Sequence, residues 1–192
     1  MAKRILLAGI LGGIALFLWG GLAHMVLGLG AVGIQGLPQQ QMVMDTLKAS
    51  VPQSGFFFFP QPDKAGKFPP EKVGGPYGIM IYNAAGAGGP MGVQLANECI
   101  LNIVVALLAA FLLSLAPGLI GYVPRVGFVT LVGVIVALMT NVEYWNWYGF
   151  PLNYTVAAIA EHVIGFVIVG LIAAALVKTP VQRIMAVPAK AA

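Results

Sequence analysis

Two ionisable side chains stand next to each other in a stretch that otherwise has the composition of a membrane helix. Glu161 and His162 lie within "AIAEHVIGF". Ionisable groups inside a span cost about 2.5–3.5 kcal/mol each or more, so they usually face other helices and often mark a functional site. The other histidine, His24, and two further acids, Glu98 and Glu143, also fall within or at the ends of long apolar runs. These five residues form the candidate site.

The residue types of this candidate site permit four kinds of chemistry. One is a structural plug that fixes the helix register, in which Glu161 bonds to His24. His162 would then bond to Glu98. A second is a metal centre, because two histidines with two or three carboxylates suit iron, manganese or zinc; the Glu-x-x-His spacing of carboxylate-rich metal bundles is absent, however. A third is a haem held between the two histidines, and the fourth is a relay for protons or substrate.

The composition excludes a water-soluble domain. Hydrophobic residues make up 59% of the 192 residues and charged residues only 8%, whereas a soluble domain has roughly 25% charged residues. Four apolar runs reach the ~20 residues that cross a bilayer, at about Ile5–Gly30, Leu95–Leu115, Val126–Tyr148 and Leu152–Val177. We therefore predict an all-α integral membrane protein, a bundle of four transmembrane helices with a small mixed extracytoplasmic segment between helices 1 and 2.

The domain organisation follows from these runs. We expect transmembrane helix 1 at residues 5–30, the extracytoplasmic segment at 31–94, transmembrane helices 2–4 at 95–178 and a cytoplasmic tail at 179–192. The first run is longer than the ~7–15 apolar residues of a signal peptide, and no A-x-A site follows it closely. We therefore expect it to be a membrane anchor.

The helical rise places all five candidate residues at similar depth. At 1.5 Å per residue, each lies about 22–28 Å from the opposite end of its own span. Small residues mark helix contacts in membranes, and three stripes of them are predicted to face neighbouring helices: Gly20, His24 and Gly28; Gly133, Ala137 and Asn141; Ala157, Glu161 and Gly165. The pattern predicts one polar layer near the outer ends of the four helices.

The basic residues predict the orientation of the bundle. Six of them fall on one side if the chain crosses four times: Lys3, Arg4, Arg125 (in the turn between spans two and three), Lys178, Arg183 and Lys190. Lysine and arginine accumulate in cytoplasmic loops, so both termini are predicted to be cytoplasmic, in an inner membrane of bacterial type. Three acids, Asp45, Asp63 and Glu71, lie in the opposite, outer segment.

The outer segment contains patterns for one helix and one hairpin. "GLPQQQMVMDTLKAS" predicts a short helix, and the runs Phe56–Phe59 and Ile79–Tyr82 predict two paired strands. Four consecutive phenylalanines, Phe56, Phe57, Phe58 and Phe59, would be a liability in water. We expect them either to lie at the membrane interface or against the bundle, or to contact a partner protein.

The function predicted from these features is that of a non-catalytic accessory or assembly subunit of a larger membrane complex, of respiratory or photosynthetic type. The alternative is a stand-alone membrane protein that binds a metal, haem or quinone at the Glu/His layer. No Ser/His/Asp or Cys/His grouping stands out, and no dinucleotide fingerprint either. The expected partners are membrane lipids and other membrane subunits or a second copy; the net charge of +4 is too scattered to indicate nucleic acid.

Overall fold

The fold is dominated by helices of membrane-spanning length. The computed structural model describes residues 1–67, 75–86 and 89–185. Within these ranges, four helices are long and apolar enough to cross a membrane, namely α1 (Ala2–Met25), α3 (Met91–Leu115), α4 (Tyr122–Tyr148) and α5 (Leu152–Leu176). Two shorter α-helices, α2 (Gln40–Ser50) and α6 (Pro180–Met185), are also present in the described ranges. The predicted helical fold with four candidate spans is confirmed. Glu71, Lys190 and the side chain of Arg183 lie outside the described residues.

Helix α1 ends at Met25 rather than at the predicted Gly30. Gly28 has φ +69°, a left-handed conformation that glycine adopts without steric cost. The chain then turns through a 3₁₀ segment, Leu29–Ala31. The first apolar run is therefore longer than the helix that it encodes, because its last residues turn back against the bundle.

The four long helices do not pack as a symmetric square. Helix α1 packs along both α3 and α5, and α4 packs along α5, whereas α3 has only sparse contacts with α4 and with α5. The buried core is formed mainly by the second halves of α3 and α5 and the first half of α4, with Leu113, Val129 and Val169 among its fully buried side chains. The bundle is therefore tightly packed near the chain termini and more open at the other end, which we call the loop end.

Glycines bring α1 and α3 into close contact. Gly9 and Gly13 are spaced by four residues on one face of α1, and a Cβ at Gly13 would overlap the backbone of Ile103. A Cβ at Gly9 would overlap the side chain of Leu107. Small residues at this spacing allow two helix backbones to approach closely, which increases their van der Waals contact.

The two glycines of the first predicted contact stripe do not meet a neighbouring helix, although His24 of that stripe does, and the predicted stripe on α4 is confirmed. Gly20 and Gly28 have no atom within 4 Å of a built Cβ, so they do not mediate a helix contact. The reason is that α1 meets α3 through the earlier glycines, and the helices separate beyond them. On α4, Gly133, Ala137 and Asn141 are all buried, as the pattern predicted.

At the loop end, the predicted hairpin is present. Strands β1 (Gly55–Phe59) and β2 (Gly78–Tyr82) pair in antiparallel register, with Phe56 opposite Ile81. Beyond the strands, the Ser54 hydroxyl donates to Asn83 Oδ1 at 3.3 Å and accepts from the backbone N–H of Ala84 at 3.0 Å. These bonds close the end of the hairpin that leads into α3.

Arg125 lies in a different place from the one predicted. It is in the first turn of α4 rather than in the preceding loop, and it is only 9% exposed. Its guanidinium donates to the carbonyl of Gly121 at 3.0 Å and to that of Val177, just after α5, at 2.9 Å. This residue therefore ties the start of α4 to the end of α5, in addition to contributing a positive charge.

Candidate functional site

A cleft occupies the open half of the bundle. Its inner part is a cavity of about 280 Å³ lined by side chains from all four long helices. A larger cavity of about 1160 Å³ adjoins it towards the loop end. Both are lined by Gly20, Glu98, Asn102, Glu161 and His162. We call the two cavities together the cleft.

A hydrogen bond between α1 and α5 forms one wall of the cleft. His24 Nε2 donates to Glu161 Oε1 at 3.0 Å, the bond expected from the sequence. The imidazole lies over Gly30, where a Cβ would overlap the ring. Trp19 Nε1 donates to the backbone carbonyl of Glu161 at 3.0 Å. Glu161 is thus held by α1 through two contacts, and the turn after α1 supports the histidine.

Two glycines shape the floor of the cleft. Gly165 on α5 allows Leu16 and Trp19 of α1 to come close, since a Cβ there would overlap Leu16. Gly133 on α4 likewise receives the side chain of Phe166. Phe166 is 5% exposed and lines the inner cavity. Aromatic and aliphatic side chains therefore close the cleft towards the packed core.

Glu98 and His162 line the cleft without bonding to each other. Asn102 Nδ2 donates to Glu98 Oε1 at 3.1 Å, one helical turn away on α3. His162 Nδ1 instead contacts the carbonyl oxygen of Ala158 at 2.7 Å. The predicted bond between His162 and Glu98 is therefore wrong. Because a carbonyl can only accept, Nδ1 carries the proton, and the Nε2 of a neutral ring is left as an acceptor.

Asn141 belongs to the cleft although it was not among the five candidates. It is 5% exposed, and its Nδ2 donates to the carbonyl of Ala137 at 2.9 Å. It lines the larger cavity, and no hydrogen bond among the described residues engages its Oδ1. The sequence signal was an asparagine on the small-residue stripe of α4, which predicted burial but did not identify a cavity.

The structure separates Glu143 from the other candidates. Glu143 is exposed and lines neither cavity. Within the described ranges, no group of three or more His, Cys, Asp or Glu side chains is close enough together to hold a metal ion. The geometry thus gives the metal-site interpretation no support.

Hydrogen-bond acceptors outnumber donors in the cleft. Within the described part of the chain, bonding leaves one carboxylate oxygen free on Glu98 and one on Glu161, and the amide oxygens of Asn102 and Asn141 are free as well. His162 Nε2 adds another acceptor. The side-chain donors that remain are the second N–H of each asparagine and the hydroxyl of Tyr154, which lines the larger cavity. The cleft therefore favours a molecule whose polar group donates hydrogen bonds.

Comparison with known proteins does not assign this chain to a family. No family model matches the chain, and no curated protein or solved structure gives a significant match.

Proposed function

We propose that this chain is a membrane protein that binds a lipid-soluble ligand in the cleft. The observation that carries the proposal is a cavity with apolar walls and a few convergent acceptors, located within four helices of membrane-spanning character. Small-molecule sites generally combine an apolar lining with a few placed polar groups. A ligand with an apolar body and a small polar head matches this distribution.

The acceptor-rich lining supports a ligand whose head group donates hydrogen bonds. Among the ligands that the sequence suggested, the reduced form of a quinone has hydroxyl donors, whereas the oxidised form has only carbonyl acceptors. The free oxygens of Glu98 and Asn141, with His162 Nε2, would accept from such hydroxyls. Asn141 is the buried member of this set, and leaving a buried acceptor unpaired costs about 1–3 kcal/mol, so the reduced form should bind more tightly.

Gly20 offers a clean test of the cleft. It lines both cavities and has open space around its Cβ position, so a leucine there should fill the cleft without disturbing helix packing. Gly127, on α4, is exposed, has equally open surroundings and lines neither cavity. Gly127→Leu is therefore the matched control for Gly20→Leu.

The measurement is binding of decylubiquinol and decylubiquinone to the purified chain in detergent, by equilibrium dialysis. We expect the quinol to bind more tightly, Gly127→Leu to match the parent chain, and Gly20→Leu to weaken binding at least about tenfold, or 1.4 kcal/mol. Absence of saturable binding, or equal affinity of all three proteins, would contradict the proposed site. Tighter binding of the quinone would contradict the donor preference alone.

A second candidate function is the accessory subunit predicted from the sequence. The observation that favours it is the sparse contact between α3 and α4, which leaves room along these helices for a helix of another protein. Gentle detergent extraction from native membrane, followed by mass and subunit analysis, tests it. A particle with other stoichiometric proteins would support this role, and a lone chain or a simple homo-oligomer would count against it.

A further inference from the structure

The hairpin β1–β2 has one open apolar face. Phe56 and Ile81 are directly opposite each other and are 60% and 81% exposed. On the other face, the ring of Phe57 covers Gly55, and the ring of Phe59 covers Gly78. The second face thus partly covers itself, whereas the Phe56–Ile81 pair is open.

The end of the hairpin beside the connection between its strands lies close to the end of α4. Tyr77, just before β2, has its hydroxyl beside Gly149, with 3.0 Å from that oxygen to a Cβ built on the glycine. Gly149 is the C-cap of α4. The last turns of α4 also expose Trp145 and Trp147, at 45% and 71%. Exposed Trp and Tyr at helix ends are typical of the boundary between lipid and water.

The connection between the strands contributes positive charge. Asp63 Oδ1 accepts the backbone N–H groups of Ala65 and Lys67, both at 2.9 Å, which fixes a tight turn. Lys64 and Lys67 are exposed on this turn. The one carboxylate of the described turn is thus engaged by the backbone, while two ammonium groups remain available to an anionic surface.

We propose that the hairpin lies on the lipid bilayer, with Phe56 and Ile81 at the boundary between head groups and acyl chains. Lys64 and Lys67 then face anionic head groups. Lipid is favoured as the occupant of this face because one end of the hairpin is beside the aromatic end of α4, which places the open pair about 10 Å along the strands from the expected membrane boundary. Burial of such side chains with attraction to anionic lipid is the usual mode of interfacial binding.

Spin labels on single cysteines measure this placement in the full chain. Cys99→Ser removes the one native cysteine. Labels are then attached through Ile81→Cys, through Ala65→Cys at the lysine turn, and through Ile135→Cys, an exposed position within α4. The proteins are reconstituted at high dilution in vesicles of phosphatidylcholine, with or without phosphatidylglycerol. Accessibility to oxygen, which concentrates in lipid, is compared with accessibility to a water-soluble nickel chelate.

We expect the oxygen-to-nickel ratio at position 81 to be several-fold above that at position 65 and to approach that at position 135. A label at Phe56→Cys, on the opposite strand, should give the same ratio. This second position tests whether the ratio at position 81 depends on the surroundings of one label. Phosphatidylglycerol should raise the ratio at position 81, and Lys64→Gln with Lys67→Gln should remove that increase.

Two outcomes would overturn the proposal. A ratio at positions 56 and 81 equal to that at position 65 would place the face in water. Labels shielded from both reagents would show that protein, from this chain or another copy, covers the face. An unchanged ratio on adding phosphatidylglycerol would overturn the role of the lysines.

Discussion

At the scale of single residues, Arg125 holds the packed end of the bundle together. Its guanidinium donates to the carbonyls of Gly121 and Val177, and the residue is only 9% exposed. The last carbonyls of a helix have no partner within the helix and carry partial negative charge. A buried cation at that point satisfies one of them, and the carbonyl in turn compensates for the loss of water around the cation.

Arg125→Ala should therefore destabilise the fold. Because charged hydrogen bonds contribute about 1.5–3 kcal/mol each, we expect the free energy of unfolding to fall by about 2–3 kcal/mol. The measurement is equilibrium unfolding in detergent micelles. Arg4→Ala removes an exposed arginine at the same end of the bundle and should stay within about 0.5 kcal/mol of the parent. Equal losses in the two variants would show that the bridge does not stabilise the fold.

At the scale of elements, the glycines of α1 have two different roles. Gly9 and Gly13 allow contact with α3, whereas Gly20 and Gly21 border open space. The helix therefore packs through its first half and lines the cleft with its second half. This division explains why Gly20 and Gly21 do not mark a helix contact.

Gly13→Ala and Gly21→Ala separate these roles by the same chemical change on one helix. A Cβ at position 13 would overlap the backbone of Ile103, so α1 and α3 would have to move apart. We expect a loss of about 1–3 kcal/mol for Gly13→Ala, the range of overpacking. Gly21→Ala should be neutral or slightly stabilising, because alanine favours helix. Thermal unfolding in the same detergent compares them, and a similar loss in both would contradict the assignment of the contact.

At the scale of the whole molecule, the bundle is closed at one end and open at the other. The core lies near the chain termini, and the polar side chains of the cleft lie towards the loop end. Polar groups inside a bundle are tolerated where they meet partners or line a cavity. One packing arrangement of the four helices thus produces both the apolar core at the closed end and the polar cleft at the open end. The hairpin also lies at the open end.

We predict that the closed end faces the cytoplasm. The reason is the excess of lysine and arginine beside that end, with Lys3 and Arg4 at the start of α1 and Lys178 after α5. In a bacterial host, green fluorescent protein fused after residue 192 should fluoresce. Alkaline phosphatase inserted after Gly66 should be active, because it needs disulfides that form outside the cytoplasm. The reverse pattern of the two reporters would contradict this orientation.

The spans, the short helix and the hairpin could be predicted from the sequence because each depends on local patterns. About 20 apolar residues suffice for a spanning helix, and strand pairs such as Phe56–Phe59 and Ile79–Tyr82 stand out between glycines and prolines. The common depth of the polar residues also followed from counting, since the helical rise is fixed. The bond between His24 and Glu161 was accessible to the same reasoning.

Only the tertiary structure decided which polar groups meet and where the helices separate. His162 bonds to its own helix, Glu143 faces away from the cleft, and Asn141 joins it. These outcomes depend on the rotation of each helix and on where the helix backbones come close to each other. On α1, the close approach is at Gly9 and Gly13 rather than at Gly20. The glycine pattern of α1 is nearly the same along its length, so sequence spacing does not distinguish a packed face from an open one. A cavity forms where the side chains of neighbouring helices do not fill the space between them. Its position therefore depends on how all four helices pack together.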